Sequence, residues 1–293
     1  MLGGSANFEI QPRNQYLSEI VEKNGTIASV GTDQGVALCG CNTVNNGGRY
    51  VKRNRGLKWQ PLLPLQAGCL YRPVPTKKTA AWLRSKRVLM SGDSHMRIFF
   101  NRFAKFICGK DSAVAAKLTK SWQTFNISHG PCAGARLVYV WDPMGEAVPD
   151  VVSWDLVVVT FGHHPASRRW TQASYRARVD DYVSALSERA KVAARAGAEP
   201  RIVFMSSPPQ VDRQDCFPIK RGDWRTNPRI MAFNDYVRRT VSGTPIAFLD
   251  AFSPAAAAAS LLLPCVQDKS HFDCAWVQLA LTESLMHLLW CAP

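Results

Sequence analysis

Residues 154–161, WDLVVVTF, decide the fold class of this chain. A nearly continuous run of β-branched residues is typical of a strand that is buried on both faces of a sheet. The apolar residues that follow, from Val179 to Ala190, recur at the spacing of one helix face, and Gly197 acts as a stop signal. A buried strand followed by an amphipathic helix predicts an α/β unit built on a parallel sheet.

Three shorter apolar runs predict further strands of the same sheet. They are Arg87–Met90, Ile202–Met205 and Ile246–Leu249. Helical patterns accompany them at 98–108, 234–241 and 273–290. Apolar strands that alternate with helices predict a three-layer α/β/α sandwich with a short, mainly parallel central sheet.

The N-terminal part of the chain has a different composition. Residues 1–60 are polar and rich in Gly and Asn, and a proline-rich segment follows. We therefore predict an irregular extension over residues 1–58 and one α/β domain over residues 59–293. The sequence contains no run of about 18 apolar residues, so no transmembrane segment is predicted. The N-terminus also lacks a signal-peptide pattern, so we expect a cytoplasmic protein or the luminal part of a longer precursor.

Nine cysteines favour the luminal alternative. No pair has zinc-finger spacing, and Cys39 and Cys41 stand too close together for a metal knuckle. We expect disulfides, and with them the secretory-pathway lumen, such as the Golgi, or the extracellular space, if a targeting segment precedes this chain. Reduced thiols in the cytoplasm are the alternative.

The net charge of +14 favours anionic partners. Nucleic acid, an anionic lipid surface, an acidic glycan and a phosphorylated acyl donor all fit this charge. The basic residues are spread along the chain, and no zinc-finger, RNP or basic-zipper pattern accompanies them, so no nucleic-acid partner is expected.

The first chemical motif is Gly92-Asp93-Ser94, between a predicted strand and a predicted helix. A serine hydroxyl is a poor nucleophile at neutral pH and needs a positioned base. A turn that contains glycine exposes the side chain, and the N-terminus of the next helix offers N–H groups to an oxyanion. The alternative is an ordinary turn in which Ser94 or Asp93 caps the helix.

The second motif places Asp268 three residues before His271. On a helical turn this spacing puts both side chains on one face. The carboxylate can then accept a hydrogen bond from one ring nitrogen, which leaves the other nitrogen to take the proton of Ser94. Ser94, His271 and Asp268 would thus be nucleophile, base and orienting acid. A surface turn is the alternative for this motif alone.

The third motif, Gly162 and His163, follows the central predicted strand. In parallel sheets, catalytic residues collect at the carboxyl ends of the strands, where Ser94 is also expected. A glycine N–H and an imidazole N–H there could both donate to an oxyanion. The alternative is a histidine that hydrogen-bonds within its own loop. A metal site is not expected, because no carboxylate or cysteine stands at ligand spacing.

These motifs, in this order, resemble the SGNH hydrolase superfamily. They are most similar to its PC-esterase branch, which includes the plant trichome-birefringence-like glycan O-acetyltransferases and the luminal domain of the sialic-acid O-acetyltransferase. The similarity covers residues 59–290 and includes Arg97, three residues after the serine. The third conserved motif of the superfamily contains an Asn, and no Asn stands beside Gly162. The conserved glycine of its second motif corresponds to either Gly130 or Gly134.

The resemblance implies an SGNH-like fold and acyl transfer through an acyl-enzyme on Ser94. It implies an oxyanion hole formed by the main chain of Ser94 with Gly162 and with His163 or Arg97. We expect no bound cofactor, with acetyl-CoA or another acetyl donor as substrate and a glycan, an acidic one among the candidates, as acceptor. The branch favours an O-acetyltransferase. A carbohydrate acetylesterase with the same residues and a non-catalytic glycan-binding protein are the alternatives.

Overall fold

The computed structural model describes residues 48–53, 56–61, 81–108, 125–127, 134–210, 223–260 and 271–290. The strands are β1 Gly48–Arg53, β2 Gly56–Pro61, β3 Arg87–Gly92, β4 Phe125–Ile127, β5 Arg136–Trp141, β6 Leu156–Val159, β7 Arg201–Met205 and β8 Ile246–Leu249. The helices are α1 Ser94–Cys108, α2 His163–Ser167, α3 Gln172–Arg195, α4 Asn227–Val241, α5 Phe252–Ser260 and α6 Ala275–Trp290.

The central sheet has the strand order β4-β5-β3-β6-β7-β8. β3, β5, β6, β7 and β8 are parallel, and only the short β4 pairs antiparallel, with β5. The chain moves from β3 to β5 on one side and later to β6 on the other. The strand order therefore reverses at β3, and a sheet of this kind has its ligand-binding crevice at the carboxyl end of such a switch point.

Helices cover both faces of this sheet. The strand side chains of one face, such as Val158, pack against α1 and α6 in one hydrophobic core. Those of the other face, such as Val157, pack against α3 and α4 in a second core. All four residues of β6 are buried. The predicted three-layer α/β/α sandwich with a mainly parallel sheet is confirmed.

Several elements differ from their predicted bounds. The strand predicted over residues 154–161 is shorter, and α1 begins at Ser94 rather than at residue 98. α4 begins at Asn227, seven residues before the predicted start, and Pro228 lies in its first turn. β5 was not predicted, although its sequence RLVYVW alternates: Leu137 and Tyr139 face one core and Val138 the other.

An antiparallel hairpin of β1 and β2 precedes the sandwich in sequence, with Gly48 opposite Pro61. Tyr50 of the hairpin lies 5.0 Å from Trp59, between ring centroids, and 4.4 Å from Trp276 of α6. The hairpin thus packs on the last helix. The proposed boundary between residues 58 and 59 falls within β2, and the division into an extension and a domain stays a prediction. No helix in the described part of the chain is long and apolar enough to cross a membrane.

Candidate active site

Ser94 and His271 meet at the carboxyl edge of the sheet, although 177 positions separate them in sequence. Nε2 of His271 lies 2.7 Å from Oγ of Ser94, which is hydrogen-bonding distance. When Nε2 carries no proton, the serine hydroxyl donates to it. Asp268, the predicted orienting acid, lies outside the described residues. Two of the three predicted catalytic side chains are therefore in contact, and the place of the third stays a prediction.

The turn before Ser94 shows which residue caps the helix and which is available as the nucleophile. Oδ1 of Asp93 accepts a hydrogen bond from the main-chain N–H of His95 at 2.9 Å, and the Asp93 carbonyl accepts from the N–H of Arg97 at 3.0 Å. Asp93 is thus the N-cap residue of α1. Of the two caps considered from sequence, Asp93 takes the role. The Ser94 hydroxyl is left to His271.

Two features hold this turn in place. A Cβ atom on Gly92 would lie 2.6 Å from Cγ2 and 2.7 Å from the carbonyl oxygen of Thr160, so only glycine allows β3 and the end of β6 to approach so closely. The buried Tyr139 of β5 extends its hydroxyl to within 3.1 Å of the Gly92 carbonyl and 3.0 Å of the Asp93 carbonyl, and it donates to them. Both contacts fix the main chain directly before Ser94.

His271 is positioned by the residues that follow it. Arg102 of α1 donates from Nε to Oδ1 of Asp273 at 2.9 Å and from Nη2 to the Asp273 carbonyl at 2.8 Å. Gln278 of α6 donates from Nε2 to the carbonyl of the buried Phe272 at 2.6 Å. The segment that carries His271 is thus tied to the helix that begins with Ser94.

Cysteines lie on both of the segments that carry the site residues. Cys108, the last residue of α1, takes part in a disulfide bond, and so does Cys274, three residues after His271. Cys265, the other cysteine near Asp268, lies outside the described residues. The compartment in which the chain works stays a prediction.

Gly162 and His163 follow β6, the parallel neighbour of β3. Ser91 pairs with Val159, and Ser94 and Gly162 each lie three residues beyond that pair. A Cβ atom on Gly162 would overlap the Ser207 hydroxyl, so glycine permits the close packing of this turn against the end of β7. The structure therefore places Gly162 at the same edge of the sheet as Ser94.

The imidazole of His163 makes a different hydrogen bond from the one expected. Its Nε2 lies 2.6 Å from the carbonyl oxygen of Pro208, which can only accept, so the ring N–H is at Nε2 and donates there. The other ring nitrogen, Nδ1, lies 3.5 Å from Nε2 of Gln210. The expected donation from this ring to an oxyanion is corrected, because its N–H already binds the loop after β7. The alternative considered from sequence, a histidine that serves loop structure, describes this ring better.

That loop is held by two asparagines of α4. Asn234 accepts from the N–H of Ser207 at 2.8 Å and donates to the Ser207 carbonyl at 2.8 Å. Asn227 accepts from the N–H of Gln210 at 2.7 Å and donates to the Gln210 carbonyl at 2.9 Å. Pro208 lies between these two fixed points. The carbonyl that receives His163 is therefore positioned by α4.

His95 is a site residue that the sequence did not single out. Its ring lies between the rings of His163 and His271, with centroid distances of 4.0 and 5.0 Å and an interplanar angle of 32° in both pairs. Its position directly after the serine was the available signal, but nothing local shows that the ring turns inward. His95 is 5% exposed and His163 is 1% exposed.

Burial keeps the two inner rings of this stack uncharged. Removal from water lowers the pKa of His163 to about 4. Burial, followed by the nearby His163 and His271, holds the pKa of His95 well below its usual range. His271 thus faces neutral imidazole at neutral pH.

His164 and Arg97 are close in sequence to the motif residues. His164 packs edge-on against Trp141 at 5.6 Å, and burial lowers its pKa. Arg97 lies on α1, three residues after Ser94, and is half-buried. Its predicted place in an oxyanion hole stays a prediction. Within the described ranges, no group of three or more His, Cys, Asp or Glu residues could hold a metal ion.

No protein-family model matches the sequence, and no curated protein matches it. Among solved structures, the chain is similar to an acetylxylan esterase from Geobacillus stearothermophilus, with 15% identity and a TM-score of 0.39 over 70% of this chain and 94% of that one. It is also similar to an α/β hydrolase from the metagenome of Lake Arreo, Spain, with 15% identity and a TM-score of 0.41 over 71% of this chain and 97% of that one. Likeness at this level does not assign the chain to a family.

Proposed function

We propose that this chain is a serine-dependent acyl-transfer enzyme of the SGNH type that moves an acetyl group to a glycan hydroxyl. The single observation that carries the proposal is the 2.7 Å contact between Nε2 of His271 and Oγ of Ser94 at the switch point of a parallel sheet. A histidine in this position can remove the proton of the hydroxyl as the oxygen attacks. Asp268 is proposed to accept a hydrogen bond from Nδ1 of His271 and so to orient the imidazole.

In the first half-reaction, His271 takes the Ser94 proton and Oγ attacks the acyl carbonyl of the donor. The tetrahedral intermediate collapses when the C–O or C–S bond to the leaving group breaks, and the leaving group takes the proton from His271. The products are an acyl ester on Ser94 and the protonated leaving group of the donor. Acetyl-CoA is one such donor, and no bound cofactor is needed.

The negative charge of that intermediate needs hydrogen-bond donors. The main-chain N–H of Ser94 stands in the first turn of α1, where the partial positive charge of the helix also favours an anion. We assign the second donor to the main-chain N–H of Gly162 and keep Arg97 as a candidate third. His163 is left out, because its ring N–H binds Pro208. Each lost donor should raise the barrier by about 3 kcal/mol.

The second half-reaction decides between transfer and hydrolysis. His271 removes a proton from the acceptor hydroxyl, the acceptor oxygen attacks the acyl group, and Ser94 leaves with the proton from His271. A sugar hydroxyl gives transfer and water gives hydrolysis, with the same residues. The resemblance to the PC-esterase branch supports transfer, and a carbohydrate acetylesterase is the second outcome. The secretory pathway is the compartment proposed for this reaction.

A chromogenic acetyl ester tests the proposal. Wild type should release the chromophore, Ser94→Ala should not, and Ser184→Ala, which changes an exposed serine of α3, should match wild type. Added oligosaccharides should then receive the acetyl group, which mass spectrometry of the sugar detects. Release without sugar acetylation would identify an esterase. No release by folded wild type would contradict acyl chemistry and favour a non-catalytic glycan-binding protein.

A further inference from the structure

An exposed tryptophan and an arginine form a pair on the loops that surround the candidate site. Trp224 is 46% exposed, which is unusual for so large an apolar side chain. The guanidinium carbon of Arg169 lies 4.4 Å from the centroid of its ring. The pair joins two segments that are far apart in sequence, the residues after α2 and those before α4. Residues from two loops therefore form one exposed surface that includes the indole ring of Trp224.

The main chain of Arg169 forms the end of α2. Its φ of 60° is in the left-handed region, and it is the only non-glycine residue with positive φ in the described part of the chain. This is the conformation of the residue that ends a helix, and the main-chain N–H of Trp170 closes the end of α2 on the Pro165 carbonyl at 3.2 Å. The neighbouring carbonyl of Trp170 accepts a hydrogen bond from Arg229 of α4, which ties the loop down. The Arg169–Trp224 pair is thus a built feature of the surface.

The two segments of the pair are close to His163 and His164. Arg168 donates its main-chain N–H to the carbonyl of His164 at 2.9 Å, and Arg169 follows directly. On the other segment, Arg225 follows Trp224, and its positive charge contributes to the lowered pKa of His163, after the larger effect of burial. Both loops therefore reach the rim of the site that holds Ser94 and His271.

The charge of this rim is mainly positive. Among the described residues of these segments, Arg168, Arg169, Arg225 and Arg229 contribute four guanidinium groups and Asp223 contributes one carboxylate. Asp223 accepts from Nε of Arg225 at 2.9 Å with each carboxylate oxygen, so its charge is offset within that pair. An anionic group near Arg169 would meet a net positive field.

We infer that Arg169 and Trp224 bind a carboxylated sugar unit of the acceptor, so that the acceptor class is an acidic glycan. We call them, together with the neighbouring Arg168, Arg225 and Arg229, the basic rim. An indole face offers contact to the C–H face of a sugar ring, and a guanidinium fork matches a carboxylate with two hydrogen bonds. The inference rests on the proposed function, because it assigns the rim to the acceptor of the Ser94 reaction.

Binding can be measured without turnover. The protein is the Ser94→Ala form of the whole chain, and the probes are an oligogalacturonate and a neutral xylo-oligosaccharide of equal length, titrated by calorimetry. The oligogalacturonate should bind at least roughly tenfold more tightly, and 0.5 M salt should remove most of this advantage, because exposed charge pairs are screened. Trp224→Ala and Arg169→Ala should each weaken oligogalacturonate binding about fivefold to tenfold.

Arg195→Ala is the matched control. It removes the same charge from the last turn of α3, at the opposite edge of the sheet, and should bind like the parent. Equal binding of the two sugars, or equal losses in Arg195→Ala and Arg169→Ala, would overturn the inference. Tighter binding of a single-stranded RNA oligonucleotide than of the oligogalacturonate would overturn the glycan class. If acidic sugars bind at the rim while wild type transfers no acyl group, the inference about binding is supported and the proposed acyl transfer is contradicted.

Discussion

The hydroxyl of Tyr139 lies 3.1 and 3.0 Å from the carbonyl oxygens of Gly92 and Asp93, the two residues directly before Ser94. A tyrosine of β5 thus fixes the turn that presents the proposed nucleophile. Neither residue pattern nor spacing indicated this contact, because its members are 46 to 47 positions apart.

Tyr139→Phe removes only this hydroxyl. We expect a loss of about 1 kcal/mol in the free energy of unfolding, since a buried hydrogen bond contributes about that much. We also expect a roughly tenfold slower release of chromophore from an acetyl ester, since small displacements of a nucleophile are costly. Tyr236→Phe, which loses an exposed hydrogen bond to Asp180, should react like wild type. Equal rates in Tyr139→Phe and wild type would show that the turn keeps its conformation without the Tyr139 hydroxyl.

The ion pair between Arg102 and Asp273 should matter more for activity than for stability. Both side chains are about one-third exposed, so Arg102→Ala should cost at most about 1 kcal/mol of folding free energy. Because the pair anchors the segment that carries His271, we expect a roughly fivefold lower kcat. Arg87→Ala, which breaks a comparable exposed pair with Asp155 at the amino edge of the sheet, is the control. Similar kcat values in the two variants would contradict the anchoring role.

His95 should act through the shape and packing of its ring. His95→Ala opens a space beside His271, and we expect at least about a tenfold loss of kcat, whereas His95→Phe keeps an aromatic ring there and should retain most of it. Phe100→Leu, in the core side of the same helix, controls for lost stability. If the Ala and Phe variants lose kcat equally, a polar group of His95 is required instead.

Stability should fall as the solution is acidified below the usual pKa of histidine. The pKa of His163 is lowered to about 4 in the fold, from 6.5, so between these values the unfolded chain binds a proton that the folded chain does not. Its contribution is fully present above pH 6.5 and decreases toward pH 4. We expect His163 alone to remove about 2 kcal/mol between pH 7 and pH 5.

Urea unfolding at the two pH values measures this change, and His163→Gln should show a smaller difference between them. His95 and His164, whose pKa values are also lowered by burial, act in the same direction. The raised pKa values of Asp250 and Glu283 act in the opposite direction. An unfolding free energy that is equal at pH 7 and pH 5 would contradict neutral, buried histidines at this site.

The sequence predicted what depends on short periodic patterns. The apolar run around Val157 gave a buried strand, the strand–helix alternation gave the layers, and both placed Ser94 and His271 at one edge. The roles of Asp93 and Ser94 could not be separated, because either side chain can cap a helix and only the folded turn shows which one does. The partner of His163, Pro208, lies 45 residues away and leaves no local pattern. The long-range ion pair of Arg102 is hidden for the same reason.

The central claim is that His271 activates Ser94. The most direct measurement is covalent labelling with a fluorophosphonate, followed by mass spectrometry of the peptides. The account predicts one adduct, on Ser94, formed in wild type, absent in Ser94→Ala and slowed at least about a hundredfold in His271→Gln. Folded wild type that is not labelled, an adduct on another serine, or equal labelling rates in His271→Gln and wild type would contradict it.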